Sequence, residues 1–128
     1  MTTVQTGCRI SSALREYLNA IYELSSSRPS VRITDISNHM GISKPSVNRA
    51  VNALKQAGLV SHEPYGSIFL TQKGMDEGDA FVKRSKTVSD FFILTLGLSR
   101  DAANSVAAKI AAELNDEMID KMHSLLKN

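Results

Sequence analysis

The side chains best suited to chemistry cluster between positions 43 and 55, where hydroxyl, amide and cationic groups recur on one face of a predicted helix. Such groups bond to phosphate oxygens and base edges, and arginine or asparagine can recognise guanine or adenine through paired hydrogen bonds. The pattern therefore predicts a DNA-contacting surface. Its residues are Ser43, Lys44, Pro45, Ser46, Asn48, Arg49, Asn52 and Lys55.

The predicted roles on this surface differ with position. Ser43, Ser46 and the backbone N–H groups near Pro45 are expected on phosphates, because the N-terminus of a helix favours anions. Lys55 is expected to contribute charge without sequence preference. The residues expected to reach base edges are Lys44, Asn48 and Arg49.

A helix-turn-helix is predicted to position these residues over 34–60. Thr34 is a candidate N-cap for the first helix, and Gly41 is expected to end it. Ser43 is a candidate N-cap for the second helix, Pro45 suits its first turn, and Gly58 is expected to end it. The opposite, buried face of the second helix is predicted to carry Val47, Ala50, Val51 and Leu54.

A β-hairpin is predicted next, because residues 59–63 and 67–70 favour strands and Glu63-Pro64-Tyr65-Gly66 fits a type I turn. A short strand over 31–33 is expected to pair with it. Two helices followed by a hairpin, or wing, form a winged helix, which commonly lays its second helix in the DNA major groove. Tyr65 and Ser67 are predicted to contact the DNA backbone through the wing.

The remaining sequence predicts helices alone, so the fold class is mainly α with a small β-hairpin. Thr71 is the expected cap of a long helix reaching Leu96, and Ser99 and Asn115 are expected to cap two more. We predict a winged helix-turn-helix DNA-binding domain over 1–71 and a helical dimerisation domain over 72–128. The second set of helices is too small for a generous core of its own, which favours a homodimer; packing on the first helix is the alternative.

Composition and charge are compatible with a DNA-binding protein of the cytoplasm. The 128 residues are 42% hydrophobic, and the single cysteine, Cys8, allows no internal disulfide. No signal peptide or membrane-spanning run is apparent, so we expect no membrane association. Residues 28–73 hold six basic and two acidic side chains, a net charge of +4, whereas residues 74–128 sum to −2. The positive charge thus collects in the predicted winged helix, which fits binding to phosphates; a solvated basic face is the alternative, because +4 is a modest charge.

Catalysis is not indicated. The sequence has no Ser-His-Asp, Cys-His or glycine-rich phosphate arrangement, so we predict that the protein is not an enzyme. The three histidines lie at least 23 residues apart, and none has a ligand-type partner four positions away. His39 is expected on the groove side, His62 on the wing and His123 at the surface.

Several segments together resemble the diphtheria toxin repressor family of metal-dependent regulators, including its manganese-sensing branch. They are YLNAIYEL at 17–24, VRITDI at 31–36, ISKPSV at 42–47, GLV at 58–60, EPYG at 63–66, LTQKG at 70–74, LGLS at 96–99 and NDE at 115–117. The resemblance implies a dimeric winged-helix repressor of metal-uptake genes that binds DNA when Mn(II) or Fe(II) is bound. Members often add a C-terminal SH3-like domain, which we do not expect here.

The resemblance also implies positions for the metal ligands, and the sequence departs from the family there. Glu16 is the only ligand-type residue retained. The other positions hold Asn19, Ser85, Ser89, Ala108, Ala111 and Ala112. Mn(II) and Fe(II) need several oxygen or nitrogen donors converging at about 2 Å, and alanine has none. We therefore expect no metal cofactor, unless Cys8, Glu113 or a histidine supplies replacement ligands.

The sequence as a whole predicts a dimeric transcriptional regulator, a repressor acting on a palindromic operator in double-stranded DNA. It is predicted to work without metal or to answer another effector. One alternative is an Mn(II)- or Fe(II)-responsive repressor with a remodelled site. A second alternative is a winged helix that serves as a protein-interaction module, since a fold does not fix its function.

Overall fold

The computed structural model describes residues 10–63 and 66–127, and these residues form six helices and one two-stranded hairpin. This confirms the mainly α fold class with a small β-hairpin. The elements, in chain order, are α1 (Ser12–Ser27), α2 (Ile33–Met40), α3 (Lys44–Gln56), β1 (Val60–His62), β2 (Ile68–Leu70), α4 (Gln72–Leu96), α5 (Arg100–Glu113) and α6 (Asp116–Leu126).

Most helices begin where a side-chain oxygen can accept a backbone N–H. Ser43 caps α3, Ser99 caps α5 with an acceptor distance of 3.1 Å to Ala102 N, and Asn115 caps α6 at 2.9 Å to Met118 N. At the start of α4, Thr71 Oγ1 accepts the Gly74 N–H at 3.1 Å. These four predicted caps are confirmed.

The start of α2 differs from the prediction. The helix begins at Ile33, so Thr34 lies within the first turn and does not cap it. The carboxylate of Asp35 instead accepts the backbone N–H of Arg32 at 2.9 Å. An acid at this place satisfies a free donor and also interacts favourably with the positive end of the helix dipole, which explains the earlier start.

The wing is an antiparallel hairpin in which Val60 pairs with Leu70 and His62 with Ile68. Its turn is closed by the Gly66 N–H, which donates to Glu63 O at 3.0 Å. The predicted third strand over 31–33 is reduced to a single bridge, in which the Ile68 N–H donates to Val31 O at 2.7 Å. Because Ile33 already belongs to α2, no residues remain to extend that strand.

Internal contacts divide the described residues into two compact units, 10–78 and 79–127. The first unit contains α1–α3, the wing and the beginning of α4. Its fully buried side chains include Leu18, Ile21, Ile36, Val47, Val51, Leu54 and Leu59. Burying each such side chain stabilises the fold by about 1.5–3 kcal/mol. The functional division that we predict after residue 71 stays a prediction.

Two glycines of α4 allow this helix to approach the rest of the first unit. A Cβ atom on Gly74 would lie 2.0 Å from the Leu59 carbonyl oxygen, and one on Gly78 would lie 2.0 Å from the Tyr22 ring. Both positions therefore require glycine for packing, and neither has a positive φ. This use of glycine was not apparent from the sequence.

The second unit has a smaller core made of Phe81, Val88, Ala107, Ala111 and Ile119. Arg84 links its three helices, because its guanidinium donates to the Asp116 carboxylate and to the backbone oxygens of Ala111 and Leu114. Several apolar side chains of this unit remain exposed: Val82, Leu94, Leu96, Val106, Met118 and Leu125.

Candidate nucleic-acid interface

Helix α3 has one buried face and one exposed polar face. Val47, Ala50, Val51 and Leu54 point into the core. Lys44, Pro45, Asn48, Arg49, Asn52 and Lys55 are exposed, and Ser46 is half-buried. The helical repeat of 3.6 residues separates the two sets, so the core contacts of α3 fix the orientation of its polar face.

Three of the predicted residues form a connected chain at the N-terminus of α3. Ser43 Oγ accepts the Ser46 N–H at 3.4 Å and lies 3.0 Å from Ser46 Oγ. The Arg49 guanidinium donates to Ser46 Oγ at 3.2 Å through Nη2. A guanidinium is thus held one turn inside a helix N-terminus, where the helix dipole already favours an anion. This arrangement can bind a phosphate or present Arg49 to a base.

The turn before α3 is held by Ser37, a residue that the sequence did not single out. Gly41 adopts φ 68°, and its N–H and that of Ile42 both donate to Ser37 O, at 2.9 and 3.2 Å. The Ser37 hydroxyl in turn donates to Ile42 O. These bonds fix the angle at which α3 leaves the turn. A half-buried serine four residues before the C-terminal glycine gives no distinctive sequence signal.

The C-terminus of α3 is joined to the start of α4. Lys73 Nζ donates to Ala57 O at 3.1 Å, and Thr71 Oγ1 donates to Gly58 O at 2.6 Å. Both groups satisfy carbonyl oxygens that the helix itself leaves unpaired. Lys73 therefore has a local structural role, although its charge is part of the net +4 of residues 28–73.

The charge excess of the winged-helix segment is concentrated on α3. Arg28 pairs with Asp35 at 3.3 Å, and Lys73 caps α3, so both act within the fold. Lys44 and Lys55 are exposed and make no ion pair with the described residues, and the same holds for Arg49. These three exposed cations, which make no ion pair with the described residues, thus lie on the predicted DNA-contacting face.

The predicted wing contacts are placed only in part. Ser67 lies beside the hairpin turn, where its carbonyl oxygen accepts the Glu63 N–H at 2.7 Å, and it does not join the Ser43–Ser46–Arg49 chain. Tyr65 lies outside the described residues, as do Pro64 and Cys8.

The histidines occupy separate places. His39 is exposed near the end of α2, 3.9 Å from the Glu23 carboxylate. His62 is half-buried in β1, and His123 is exposed on α6. Over residues 10–63 and 66–127, no group of three or more histidine, cysteine, aspartate or glutamate side chains could hold a metal ion.

The first unit also contains a buried ion pair that was not apparent from the sequence. Arg15 Nη2 donates to Glu77 Oε1 at 3.1 Å, and Glu77 is 3% exposed. The pair joins α1 to the first part of α4 across 62 positions of sequence. No local pattern signals a contact between residues so far apart.

The positions at which the resemblance implies metal ligands lie in both units. In the first unit, Glu16 is exposed and Asn19 is half-buried. In the second unit, Ser89 Oγ donates to Asn104 Oδ1 at 2.6 Å and accepts from Arg100 Nη1 at 3.2 Å. A permanently charged guanidinium at this distance opposes a second cation. The other positions supply the hydroxyl of Ser85 and the methyl groups of Ala108, Ala111 and Ala112.

Asp90 completes this polar cluster. It accepts from Lys86 Nζ at 2.7 Å and from Arg100 Nη1 at 2.6 Å. The hydrogen bond from Lys86, and then that from Arg100, lower the pKa of the Asp90 carboxyl below its ordinary value of 3.8. The carboxylate therefore stays ionised and offsets part of the positive charge of the two bases.

The fold and this surface define the class of protein, a winged helix-turn-helix regulator. Residues 9–68 match a family described as "Iron dependent repressor, N-terminal DNA binding domain". An uncharacterized HTH-type transcriptional regulator of Methanocaldococcus jannaschii is 30% identical over 115 residues, which cover 88% of this chain and 91% of that protein. The transcriptional regulator MntR of Escherichia coli is 27% identical over 105 residues, 82% of this chain and 67% of that protein.

The chain therefore belongs to the diphtheria toxin repressor family of metal-dependent transcriptional regulators. It is a DNA-binding transcriptional regulator and not an enzyme, as the sequence predicted.

Solved structures agree on the fold. A hypothetical protein from Sulfolobus solfataricus superimposes with a TM-score of 0.73 at 22% identity, over 91% of this chain and 89% of that one. A manganese-dependent transcriptional repressor in complex with manganese gives a TM-score of 0.78 at 22% identity, over 89% of this chain and 52% of that one. The chain thus spans about half the length of the latter protein. No helix within the described residues is long and apolar enough to cross a membrane.

Proposed function

We propose that this protein is a dimeric repressor that reads a palindromic operator through α3 and needs neither Mn(II) nor Fe(II). The observation that carries the proposal is the Ser43–Ser46–Arg49 chain at the exposed N-terminus of α3. In this proposal Ser43 and Ser46 bind phosphates. Lys44, Asn48 and Arg49 read base edges, Asn52 and Lys55 support them, and the wing contacts the backbone through Tyr65 and Ser67.

The proposed dimer is supported by exposed apolar surface in the second unit. Leu94, Leu96 and Leu125 are 62%, 65% and 55% exposed. Large apolar side chains exposed on a small helical unit are typical of surfaces that a partner covers. Two copies would present two α3 helices to half-sites about one DNA turn apart, which is why we propose a palindromic operator. The repressor would act in the cytoplasm, where its DNA is.

Independence of metal is supported by the donor set. Mn(II) and Fe(II) prefer carboxylate, carbonyl and imidazole ligands. The family's ligand positions in the second unit offer two hydroxyl groups, and that of Ser89 is already bonded to Asn104 and Arg100. The competing proposal, an Mn(II)- or Fe(II)-responsive repressor, is favoured by the names of relatives and neighbours such as the manganese-dependent repressor.

The deciding experiment is selection of bound duplexes from a random DNA pool by the full chain, once with EDTA and once with Mn(II). We expect the same palindromic site from both selections, with equal affinity. Recovery with Mn(II) alone would refute metal independence and support the metal-responsive alternative. Recovery of no sequence in either selection would refute operator binding and favour the protein-interaction alternative. Two matched variants accompany the selection. Arg49→Ala removes an exposed cation of the proposed DNA-contacting surface, and Lys109→Ala, the control, removes an exposed cation of α5.

A further inference from the structure

A pocket of about 440 Å³ lies between α4 and α5 in the second unit, outside the proposed DNA-contacting surface. Its apolar side is formed by Val82, Ala107 and Ala108. Small side chains at 107 and 108 leave room for a ligand of a few heavy atoms. A cavity of this kind, apolar with a few converging polar groups, is typical of small-molecule sites.

The polar side of the pocket contains an unsatisfied hydroxyl. Ser85 Oγ is buried and makes no hydrogen bond to any residue in the described part of the chain. Buried polar atoms in native proteins are nearly always paired, so an unpaired hydroxyl on a residue that lines a pocket suggests a ligand or water as its partner. Asn104 also lines the pocket, and because its Oδ1 accepts from Ser89, its NH₂ group is the side-chain donor that remains.

The same side carries a net positive charge. Lys86 and Arg100 line the pocket, and no acidic side chain of the described residues does. Both cations share a single carboxylate, that of Asp90, which leaves an excess charge of about +1 among the three. The hydrogen bonds of Arg100 to the described residues all run through Nη1, so Nε and Nη2 keep their donor capacity.

We propose that this pocket binds a small organic anion with a carboxylate head and a short aliphatic body. Arg100 and Lys86 would neutralise the head, and the Ser85 hydroxyl and Asn104 amide would donate to its oxygens. The aliphatic body would lie on Val82, Ala107 and Ala108. The ligand is an anion because the two charged groups lining the pocket are both cations. This binding site goes beyond the proposed operator binding and does not depend on it.

The test is a ¹⁵N–¹H NMR titration of the full chain with potassium butyrate, acetate and inorganic phosphate, each against potassium chloride at equal ionic strength. We expect butyrate to shift the amides of residues 85, 86, 100, 104, 107 and 108 saturably, and to bind about tenfold more tightly than acetate. The tenfold figure corresponds to two buried CH₂ groups that stay partly solvated. Shifts equal to those with chloride would overturn the site. Tighter binding of phosphate than of butyrate at the same residues would overturn the carboxylate assignment.

Three variants test the assigned contacts. Arg100→Gln and Lys86→Gln should each weaken butyrate binding about tenfold, the loss expected for a charge-assisted bond. Lys109→Gln, which removes an exposed cation of α5 outside the pocket, should change it less than twofold. Ser85→Ala should weaken binding while raising the melting temperature of the free protein, because it removes an unpaired buried hydroxyl. Equal losses of butyrate affinity with Lys109→Gln and Arg100→Gln would show that the anion responds only to the overall charge of the protein. DNA affinity, measured on the same samples, reports separately on operator binding.

Discussion

Replacing Arg49 by alanine separates sequence reading from general attraction to DNA. Arg49 is exposed on α3, and its only hydrogen bond to the described residues, of 3.2 Å, goes to Ser46 Oγ. The folded protein therefore loses little, and the melting temperature should stay within about 2 °C, as for other exposed substitutions. Ser43 still caps the helix, because its bond to the Ser46 N–H does not involve Arg49.

The loss of affinity for DNA should be larger than this loss of stability, and the loss of sequence preference should be confined to one base pair. A bidentate contact between arginine and guanine discriminates by about 1–3 kcal/mol, which is roughly 5- to 150-fold in affinity. Because this contact is to a base, the slope of log affinity against log salt should change by less than about 0.5. Lys55→Ala is the matched control. It should weaken all sequences alike and reduce the slope by about 1, as expected for the loss of one phosphate contact.

Fluorescence anisotropy with the selected operator and its single-base variants, at four salt concentrations, measures both quantities. If Arg49→Ala lowers affinity for every duplex by the same factor and reduces the salt slope as Lys55→Ala does, then Arg49 binds a phosphate. The docking of α3 with Arg49 over the bases would then be wrong, even if the protein still prefers its operator.

Three further substitutions test the scaffold. Gly74→Ala should destabilise the protein by more than about 3 kcal/mol, because a Cβ would lie 2.0 Å from Leu59 O; a melting temperature unchanged from that of the natural protein would refute the close approach. Glu77→Gln should cost about 3 kcal/mol in denaturant unfolding, because it removes one charge of a buried ion pair; a loss under 1 kcal/mol would show that the pair is dispensable. The Asp90 carboxyl has a lowered pKa, so its stabilisation is present above the ordinary value of 3.8 and is lost as the pH falls below it. Asp90→Asn should therefore flatten the stability profile below about pH 4, and an unchanged profile would contradict this origin.

Features that depend on neighbouring residues could be predicted from the sequence. The caps at Ser43, Ser99 and Asn115 each bond to an N–H only three residues away, so residue type and spacing suffice. The polar and buried faces of α3 follow from its helical repeat for the same reason. The predicted cap at Thr34 was wrong. The carboxylate of Asp35, the next residue, accepts the backbone N–H of Arg32, and the helix begins before Thr34.

Contacts between distant residues could not be predicted. The Arg15–Glu77 pair, the carbonyl contact of Lys73 and the packing of Gly78 on Tyr22 join residues 16 to 62 positions apart. The hydrogen bonds of Ser89 to Asn104 and Arg100 also join residues that are distant in sequence. The sequence predicts that ligand-type residues are missing there, but it does not predict that Arg100 and Asn104 bond to Ser89.

The contacts that orient α3 show whether a metal ion is needed to hold this helix in place. Its buried face is fixed by the core of the first unit, its N-terminal turn by Ser37, and its C-terminus by Thr71 and Lys73. All of these residues belong to 10–78, and none is at a position that corresponds to a metal ligand. Helix α3 is thus positioned by hydrogen bonds and packing within its own unit. That orientation therefore does not depend on the side chains at the positions where the resemblance implies metal ligands, which supports the proposal of a regulator that binds DNA without metal.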